Sequence, residues 1–433
     1  MKKITNRAVS VLLIAAMVIC GLVVYVLRYV DDGQRWALYF AAANSGSEGR
    51  IYDRDGEMLV TLSPLGTEYS PDELTRMACY HVTGDYWGRT GTGVLSGLID
   101  SAHGFNLVTG TTRAEDIDMP LTVDAGLCRA AYQALGQESK GAAMVMNYKT
   151  GEILCMVSLP CIDPALSEIE EPGEGAYINR CISASFIPGS VFKLITSAAA
   201  IENIPDIYEK SFYCEGIYTI AGVDITCSGT HYTQTFEQAL ANSCNCAFAR
   251  IAVMLGQETM IEYVEKYGFL SSHEIDGIAT AAGSYPLDFV GDPELAWSGI
   301  GQSTDLVCPF SLLRLVAATA NGGVLATPHI IGNENPGSGV LMDSDTADKL
   351  SRMMDYNVIA HYGGSDTFPG LNICAKTGTA ELGDGSSHAW FTGFLDDEAH
   401  PYAFVVLIEQ GGGGLSVAGA AANDILQYAV TME

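Results

Sequence analysis

Ser190 and Lys193 stand three residues apart at the head of an apolar run, Phe186-Ile-Pro-Gly-Ser190-Val-Phe-Lys193-Leu-Ile-Thr-Ser-Ala-Ala-Ala. Pro188-Gly189 is a turn signal and the run behind it reads as a helix. Ser190 is therefore expected at or near a helix N-terminus, where free N–H groups and the helix dipole favour a developing alkoxide. Lys193 lies one turn on, on the same face, within reach of the hydroxyl. A serine is a weak nucleophile until a base takes its proton. A lysine can be that base only if its pKa, ordinarily about 10.4, is lowered by burial or a nearby cation. The apolar helix supplies the burial. Taken alone, the same spelling also fits a capping serine followed by a surface lysine.

Two further segments favour the chemical reading. Asn242-Ser243-Cys244-Asn245 falls between helical patterns, so Ser243 and Asn245 can project from a loop into one cleft. Lys376-Thr377-Gly378-Thr379-Ala380 follows an apolar strand, and Gly378, lacking a side chain, is expected to let a substrate approach the backbone closely. The chain has nine lysines, and two of them stand in these motifs. The spacings are 53 residues from Ser190 to Ser243 and 133 from Ser243 to Lys376. Acyl transfer needs a nucleophile, a base, an acid for the leaving group and two oxyanion donors, and this set can provide them.

The elements that must position these residues are legible in outline. LTVDAGLCRAAYQAL (121–135) has a helical period with Asp124 as its N-cap. GAAMVMNYKTGEILCMVSL (141–159) reads as two strands joined at Lys149-Thr150-Gly151. Residues 372–380, 389–395 and 402–409 are three more strand patterns with short links, an antiparallel meander. Between the two groups lie helical patterns over 190–202, 235–241, 245–255 and 258–267, and 416–432 reads as a terminal helix. Strands, then helices, then strands predict an α+β domain with one antiparallel sheet. Upstream, two short strands flank Asp55-Gly56, whereas 61–115 shows no core pattern of its own.

Composition narrows the setting. With 22 Lys plus Arg against 51 Asp plus Glu, the net charge is −29, which excludes a nucleic-acid partner because phosphate binding needs clustered cations. Residues 8–27 carry no charge and match the length of a membrane-spanning helix. Lys2, Lys3 and Arg7 precede that segment, so residues 1–7 are expected on the cytoplasmic side of a cell membrane and the rest outside. Eleven of the twelve cysteines lie beyond the anchor. Cys214 and Cys227, bracketing a hairpin turned at Ala221-Gly222, are the candidate disulfide. The alternative makes the cysteines small buried hydrophobes. Cys244 and Cys246 form CxC rather than CxxC, and a metal site with His231 as further ligand is the minor reading, so no metal is expected.

The three motifs, in this order, resemble those of the penicillin-recognising serine acyltransferases, which share an SxxK, SxN, KTG set. The resemblance is closest to class B penicillin-binding proteins, membrane-anchored D,D-transpeptidases that cross-link peptidoglycan. It spans residues 48–433 and includes RIYDRDGEML, YINRCISASFIPGSVFKLIT and HAWFTGFL, although Gly49-Arg50 stands where the family has Arg-Gly. It implies a five-stranded antiparallel sheet flanked by helices. It also implies a cytoplasmic tail (1–7), an anchor (8–27), a stalk with a reduced pedestal (28–118) and a transpeptidase domain (119–433).

The family's roles carry over residue by residue. Ser190 would be the acylated nucleophile, Lys193 its base, Ser243 the proton relay to the leaving amine and Asn245 a partner of the substrate amide. Lys376 would supply charge for a substrate carboxylate and help depress Lys193, and Thr377 and Thr379 would contact that carboxylate along the Gly378 strand. The backbone N–H groups of Ser190 and Thr379 would form the oxyanion hole. The resemblance implies no cofactor; the expected partners are peptidoglycan stem peptides, β-lactams and a membrane glycosyltransferase of the shape, elongation, division and sporulation family. β-Lactamase, D,D-carboxypeptidase or a non-catalytic receptor on the same fold are the alternatives. Of the remaining residues, Asp53 and Arg54 are expected to pair in a turn, His388 and Trp390 to pack beside the site, and His81 and Trp87 to be structural.

Overall fold

The computed structural model describes residues 9, 11–28, 49–63, 66–95, 105–106, 111–112, 117–136, 139–166, 169, 171–285, 291–302, 304–332 and 337–432. The expected cytoplasmic tail (1–7) and most of the expected stalk (29–48) lie outside them.

The expected α+β architecture is found. A five-stranded antiparallel sheet is built from β1 (Gly141–Asn147), β2 (Ile153–Leu159), β3 (Ile373–Glu381), β4 (Ser387–Leu395) and β5 (Tyr402–Ile408), in the order β3-β4-β5-β1-β2. The chain thus enters at one side with a hairpin and returns from the far edge, placing the Lys376 strand at an open edge. Every residue of β5, Tyr-Ala-Phe-Val-Val-Leu-Ile, is buried. A run of that kind, rather than an alternating one, belongs to a sheet covered on both faces. Helices Ala125–Leu135 and Ala420–Ala429 pack on each other and on the sheet, and Pro309–Ala320 and Ser344–His361 pack against β4, β5 and β3. Asp124 caps the first of these as expected, accepting from Leu127 N–H at 2.6 Å.

The upstream region is more ordered than its composition implies. Gly49–Tyr52, Met58–Ser63 and Gly66–Tyr69 form antiparallel pairs, and Ile117–Pro120 adds a parallel strand beside the first. Within the stretch expected to be irregular, Glu73–Thr83 is a helix whose N-cap, Asp72, accepts from Thr75 N–H at 3.0 Å. Arg76 clamps Asp163 with two bonds, of 2.7 and 2.8 Å, fixing this helix to the larger domain. The expected Asp53–Arg54 pair gives way to a different use of Asp53. Its buried carboxylate accepts N–H bonds from Asp55, Glu57 and, at 3.1 Å, Ala125, so it joins the hairpin to the helix start. A carboxylate gains more from three fixed dipoles than from one exposed guanidinium.

At the N-terminus, Val11–Arg28 is one apolar helix long enough to cross a membrane, and its residues are exposed. At a rise of about 1.5 Å per residue it extends about 27 Å, which fits a membrane anchor.

Candidate active site

The Ser190 turn is a short 3₁₀ segment, Gly189–Phe192, that runs directly into helix α1 (Lys193–Asn203). Gly189 has φ +55°, and a Cβ there would lie 2.5 Å from the Thr379 carbonyl oxygen. The Ser190 turn therefore touches β3 backbone to backbone. Gly378 serves the same contact. Its missing Cβ would meet Val191 Cγ1 at 2.9 Å, Trp390 Cβ at 3.0 Å and the Pro188 carbonyl oxygen at 3.1 Å. The glycine expected to admit substrate instead lets the strand close on the Ser190 turn from within. Trp390, wholly buried beside it, donates its indole N–H to the Ile187 carbonyl at 3.0 Å, and His388 accepts from Gln410 N–H at 3.2 Å. Both are packing residues at the site's edge, as their strand position implies.

Ser243 lies between helices α2 (Phe236–Ala241) and α3 (Asn245–Leu255). Its φ is +51°, in the left-handed region that costs a non-glycine residue about 1–3 kcal/mol. That twist turns both its carbonyl and its hydroxyl toward the base of α1. Lys193, wholly buried, lies with Nζ 3.0 Å from Ser190 Oγ, 2.7 Å from the Ser243 carbonyl oxygen and 2.7 Å from Asn245 Oδ1. Ser243 Oγ is 3.3 Å from the same nitrogen and accepts from Lys376 Nζ at 3.0 Å. Lys376 also donates to the Thr377 carbonyl at 2.8 Å.

The electrostatics follow from this burial. Loss of hydration pushes the Lys193 amine down to about 8, with the sulfurs of Cys244, Cys227 and Cys246 acting in the opposite sense. Burial and then the charge of Lys193 hold Lys376 well below its ordinary value. The expected repulsion between the lysines thus falls on Lys376, and burial is what lowers Lys193. A neutral amine has two N–H bonds and one lone pair. Two acceptors at 2.7 Å take the N–H bonds, so the lone pair is left for the Ser190 hydroxyl. Ser190 is thereby placed against a base at the start of a helix, with the edge backbone of β3 alongside: geometry suited to acyl transfer.

The other motif residues are arranged less directly. Asn245 Nδ2 donates to the Thr226 carbonyl at 2.8 Å, which fixes its oxygen toward Lys193 and leaves one N–H free for a ligand. Thr379 is exposed on β3, and its hydroxyl accepts from Gly414 N–H at 3.4 Å. Thr377 turns its hydroxyl inward and donates to Tyr362 Oη at 3.1 Å, while its N–H reaches the same oxygen at 3.2 Å. Tyr362 and Thr226 belong to no motif, and no local pattern marks them. The expected Cys214–Cys227 disulfide is not formed: both carry free thiols. They face His231 instead, and with Cys244 make the one group of described residues suited to hold a metal ion, a partnership different from the CxC pair.

The family described as "Penicillin binding protein transpeptidase domain" matches residues 141–427, two-thirds of the chain, and includes all three motifs. Stage V sporulation protein D of Bacillus subtilis is 31% identical over 300 residues, covering 63% of this chain and 45% of that protein. Peptidoglycan D,D-transpeptidase PbpA of Mycobacterium tuberculosis H37Rv is 27% identical over 341 residues, 69% of each. Among solved structures, the penicillin G acyl-enzyme complex of penicillin-binding protein A from M. tuberculosis superposes with a TM-score of 0.74 at 23% identity, covering 90% of this chain and all of that one. The D,D-transpeptidase domain of a peptidoglycan glycosyltransferase from Eggerthella lenta gives 0.74 at 24% identity, over 89% of this chain and 99% of that one. These last two establish a shared fold. With the motif residues gathered at the edge of that fold and the family matching residues 141–427, which hold all three motifs, the chain belongs to the penicillin-binding protein transpeptidase family.

Proposed function

We propose that this chain is a membrane-anchored serine D,D-transpeptidase that cross-links peptidoglycan stem peptides through an acyl-enzyme on Ser190, and that β-lactams acylate the same oxygen. The observation that carries this reading is the wholly buried Lys193 amine, 3.0 Å from Ser190 Oγ and 2.7 Å from each of two acceptors, the Ser243 carbonyl oxygen and Asn245 Oδ1, which take both N–H bonds when the amine is neutral. Lys193 takes the Ser190 proton as Oγ attacks the carbonyl of the donor peptide. The oxyanion forms between the N–H groups of Ser190 and Thr379. Ser243, bonded to Lys376, passes a proton to the leaving amine, and the acceptor amine then reverses the path. A terminal carboxylate beside Lys376 and Thr379 restores the lysine's charge, which couples substrate binding to the proton inventory of the site. Asn245 offers its remaining N–H to a substrate carbonyl.

The cations at Lys2, Lys3 and Arg7 favour a cytoplasmic N-terminus, with the domain from residue 119 on the outer face of the membrane. In that position it would work beside a membrane glycosyltransferase of the shape, elongation, division and sporulation family. The test is mass spectrometry of the detergent-solubilised chain after exposure to labelled penicillin. One stable adduct on Ser190 is expected. An adduct on Ser243, or fast release of hydrolysed drug, would overturn the assignment or turn it toward a β-lactamase. Protease added to intact spheroplasts should degrade the catalytic domain, and its protection would refute the orientation.

A further inference from the structure

Directly behind the Ser243–Asn245 loop, four short stretches of chain bring three thiols and an imidazole to one point. Cys214 ends the strand Ser211–Cys214, Cys227 follows the hairpin of Ile217–Ile220 and Val223–Thr226, His231 precedes the strand Tyr232–Thr235, and Cys244 is the N-cap of α3. Their ligand atoms all lie within 4.8 Å of one another. His231 Nδ1 is 3.6 Å from both Cys214 Sγ and Cys227 Sγ, and Cys227 Sγ is 3.9 Å from Cys244 Sγ. A tetrahedral zinc with bonds of about 2.3 Å to sulfur and about 2.0–2.1 Å to nitrogen has edges of about 3.8 Å between sulfurs and about 3.5 Å between nitrogen and sulfur. The three separations are those edges to within about 0.2 Å, whereas a disulfide would need about 2.05 Å.

Two features separate this group from cysteines that only fill space. Cys79, Cys128 and Cys155 are also buried neighbours, yet they do not form such a group among the described residues. Second, backbone N–H groups already point at the sulfurs: Gly216 N–H to Cys214 Sγ at 3.4 Å and Asn245 N–H to Cys227 Sγ at 3.3 Å. Such N–H···S bonds are the outer-shell support that metal thiolates require. Cys246, also buried, lies beside the group and its side chain meets those of Cys227, Cys244 and Cys214. It is not among the four whose ligand atoms all come within 4.8 Å of one another, and its sulfur also contacts the Ile225 carbonyl at 4.0 Å.

We propose that Cys214, Cys227, His231 and Cys244 bind one Zn²⁺ in a closed tetrahedral site that ties the 217–226 hairpin to the Ser243–Asn245 loop. Three thiolates and an imidazole select zinc over the hard cations, and four protein ligands leave no open position, so the ion is structural. Its effect on the active site is positional. Asn245 takes its orientation from the Thr226 carbonyl, one residue before Cys227, and Ser243 holds its left-handed backbone next to Cys244. The metal site stands apart from the transpeptidase reading; only its effect on acylation rests on it.

The test uses the full chain in detergent, with Zn²⁺ and Co²⁺ as probes. Elemental analysis should find about one zinc per chain. Co²⁺ added to chelator-stripped protein should give the absorption of a tetrahedral cobalt thiolate. Cys214→Ser and His231→Ala should each weaken zinc binding by more than the roughly 10–100-fold that loss of an outer-shell partner costs, while Cys246→Ser keeps it. Stripping wild-type protein, with folding followed by circular dichroism, should slow penicillin acylation at least tenfold, and returned zinc should restore it. Absence of zinc together with no Co²⁺ spectrum, or full binding by Cys214→Ser, would overturn the site. Zinc retained by His231→Ala but lost by Cys246→Ser would overturn this ligand set. Zinc bound with acylation unchanged on its removal would overturn the positioning role. No acylation in any metal state would refute the enzymatic reading and leave the zinc result to stand.

Discussion

Replacing Lys193 by Arg keeps a cation and removes a group that can deprotonate. With the amine at about 8, about one lysine in ten is neutral at pH 7, whereas arginine, with a pKa above about 12, is neutral in fewer than about one molecule in 10⁵. The loss of free base is thus about 10⁴-fold, and the acylation rate should fall by about 10²–10⁴-fold, the range for a general base. The pH profile makes the assignment specific. Lys193 must be neutral to accept the Ser190 proton, so the wild-type rate should rise about tenfold per pH unit and level off above about 8. The Lys193→Arg enzyme should be nearly flat over the same range. Lys376→Arg should keep most of the rate, because Lys376 contacts Ser243 rather than Ser190. It should also move the profile to lower pH, because a permanent cation beside Ser243 disfavours protonated Lys193. The assay is the rate of labelled-penicillin adduct formation on folded protein between about pH 5.5 and 9.5. Equal losses in the two variants, or a wild-type rate that falls with rising pH below 8, would show that Lys193 is not the base.

Three further outcomes are expected. Asp305 is buried, its Oδ2 has no partner among the described residues, and burial pushes its carboxyl up to about 8. A raised folded pKa gives stability that is complete below about pH 4 and lost as pH rises through about 8, so Asp305→Asn should gain about 1–3 kcal/mol at pH 8 and little at pH 4. Urea midpoints at the two pH values would check it, and a wild type more stable at pH 8 would contradict it. Gly378→Ala should cost about 1–3 kcal/mol and slow acylation, because the new methyl presses on Val191 and the Pro188 carbonyl; an unchanged melting curve would refute the contact. Tyr362→Phe removes the oxygen that Thr377 meets twice, and should cost about 1 kcal/mol with a loss of acylation below tenfold, readable from the same two assays.

The parts of this protein legible from its residues are those whose physics is local. An apolar uncharged segment of membrane length, Asp124 before a helical run, Ala221-Gly222 between two strand patterns and an SxxK pair one helical turn apart each carry their geometry within a few residues. At Ala221 and Gly222 the φ angles are +47° and +83°, as a tight hairpin turn demands. The order of the strand patterns also foretold a meander, since short links leave antiparallel pairing as the only route.

Long-range partnerships were not legible, because they depend on which surfaces meet after the chain has closed. Asp53 spelled a local ion pair but is held by the N–H of Ala125, 72 residues away. Gly378 read as an opening for substrate until Val191, Trp390 and Pro188 were found on the side its Cβ would occupy. Thr377 finds Tyr362, and Asn245 finds Thr226, through contacts no motif encodes. Cys214 and Cys227 bracket a hairpin, as a disulfide pair would, but their sulfurs turn to His231 and, through Cys227, to Cys244 of the active-site loop. Spacing along the chain ranks which groups can meet, whereas side-chain direction at closure decides which do. The two diverge wherever a buried polar atom has more than one partner within reach.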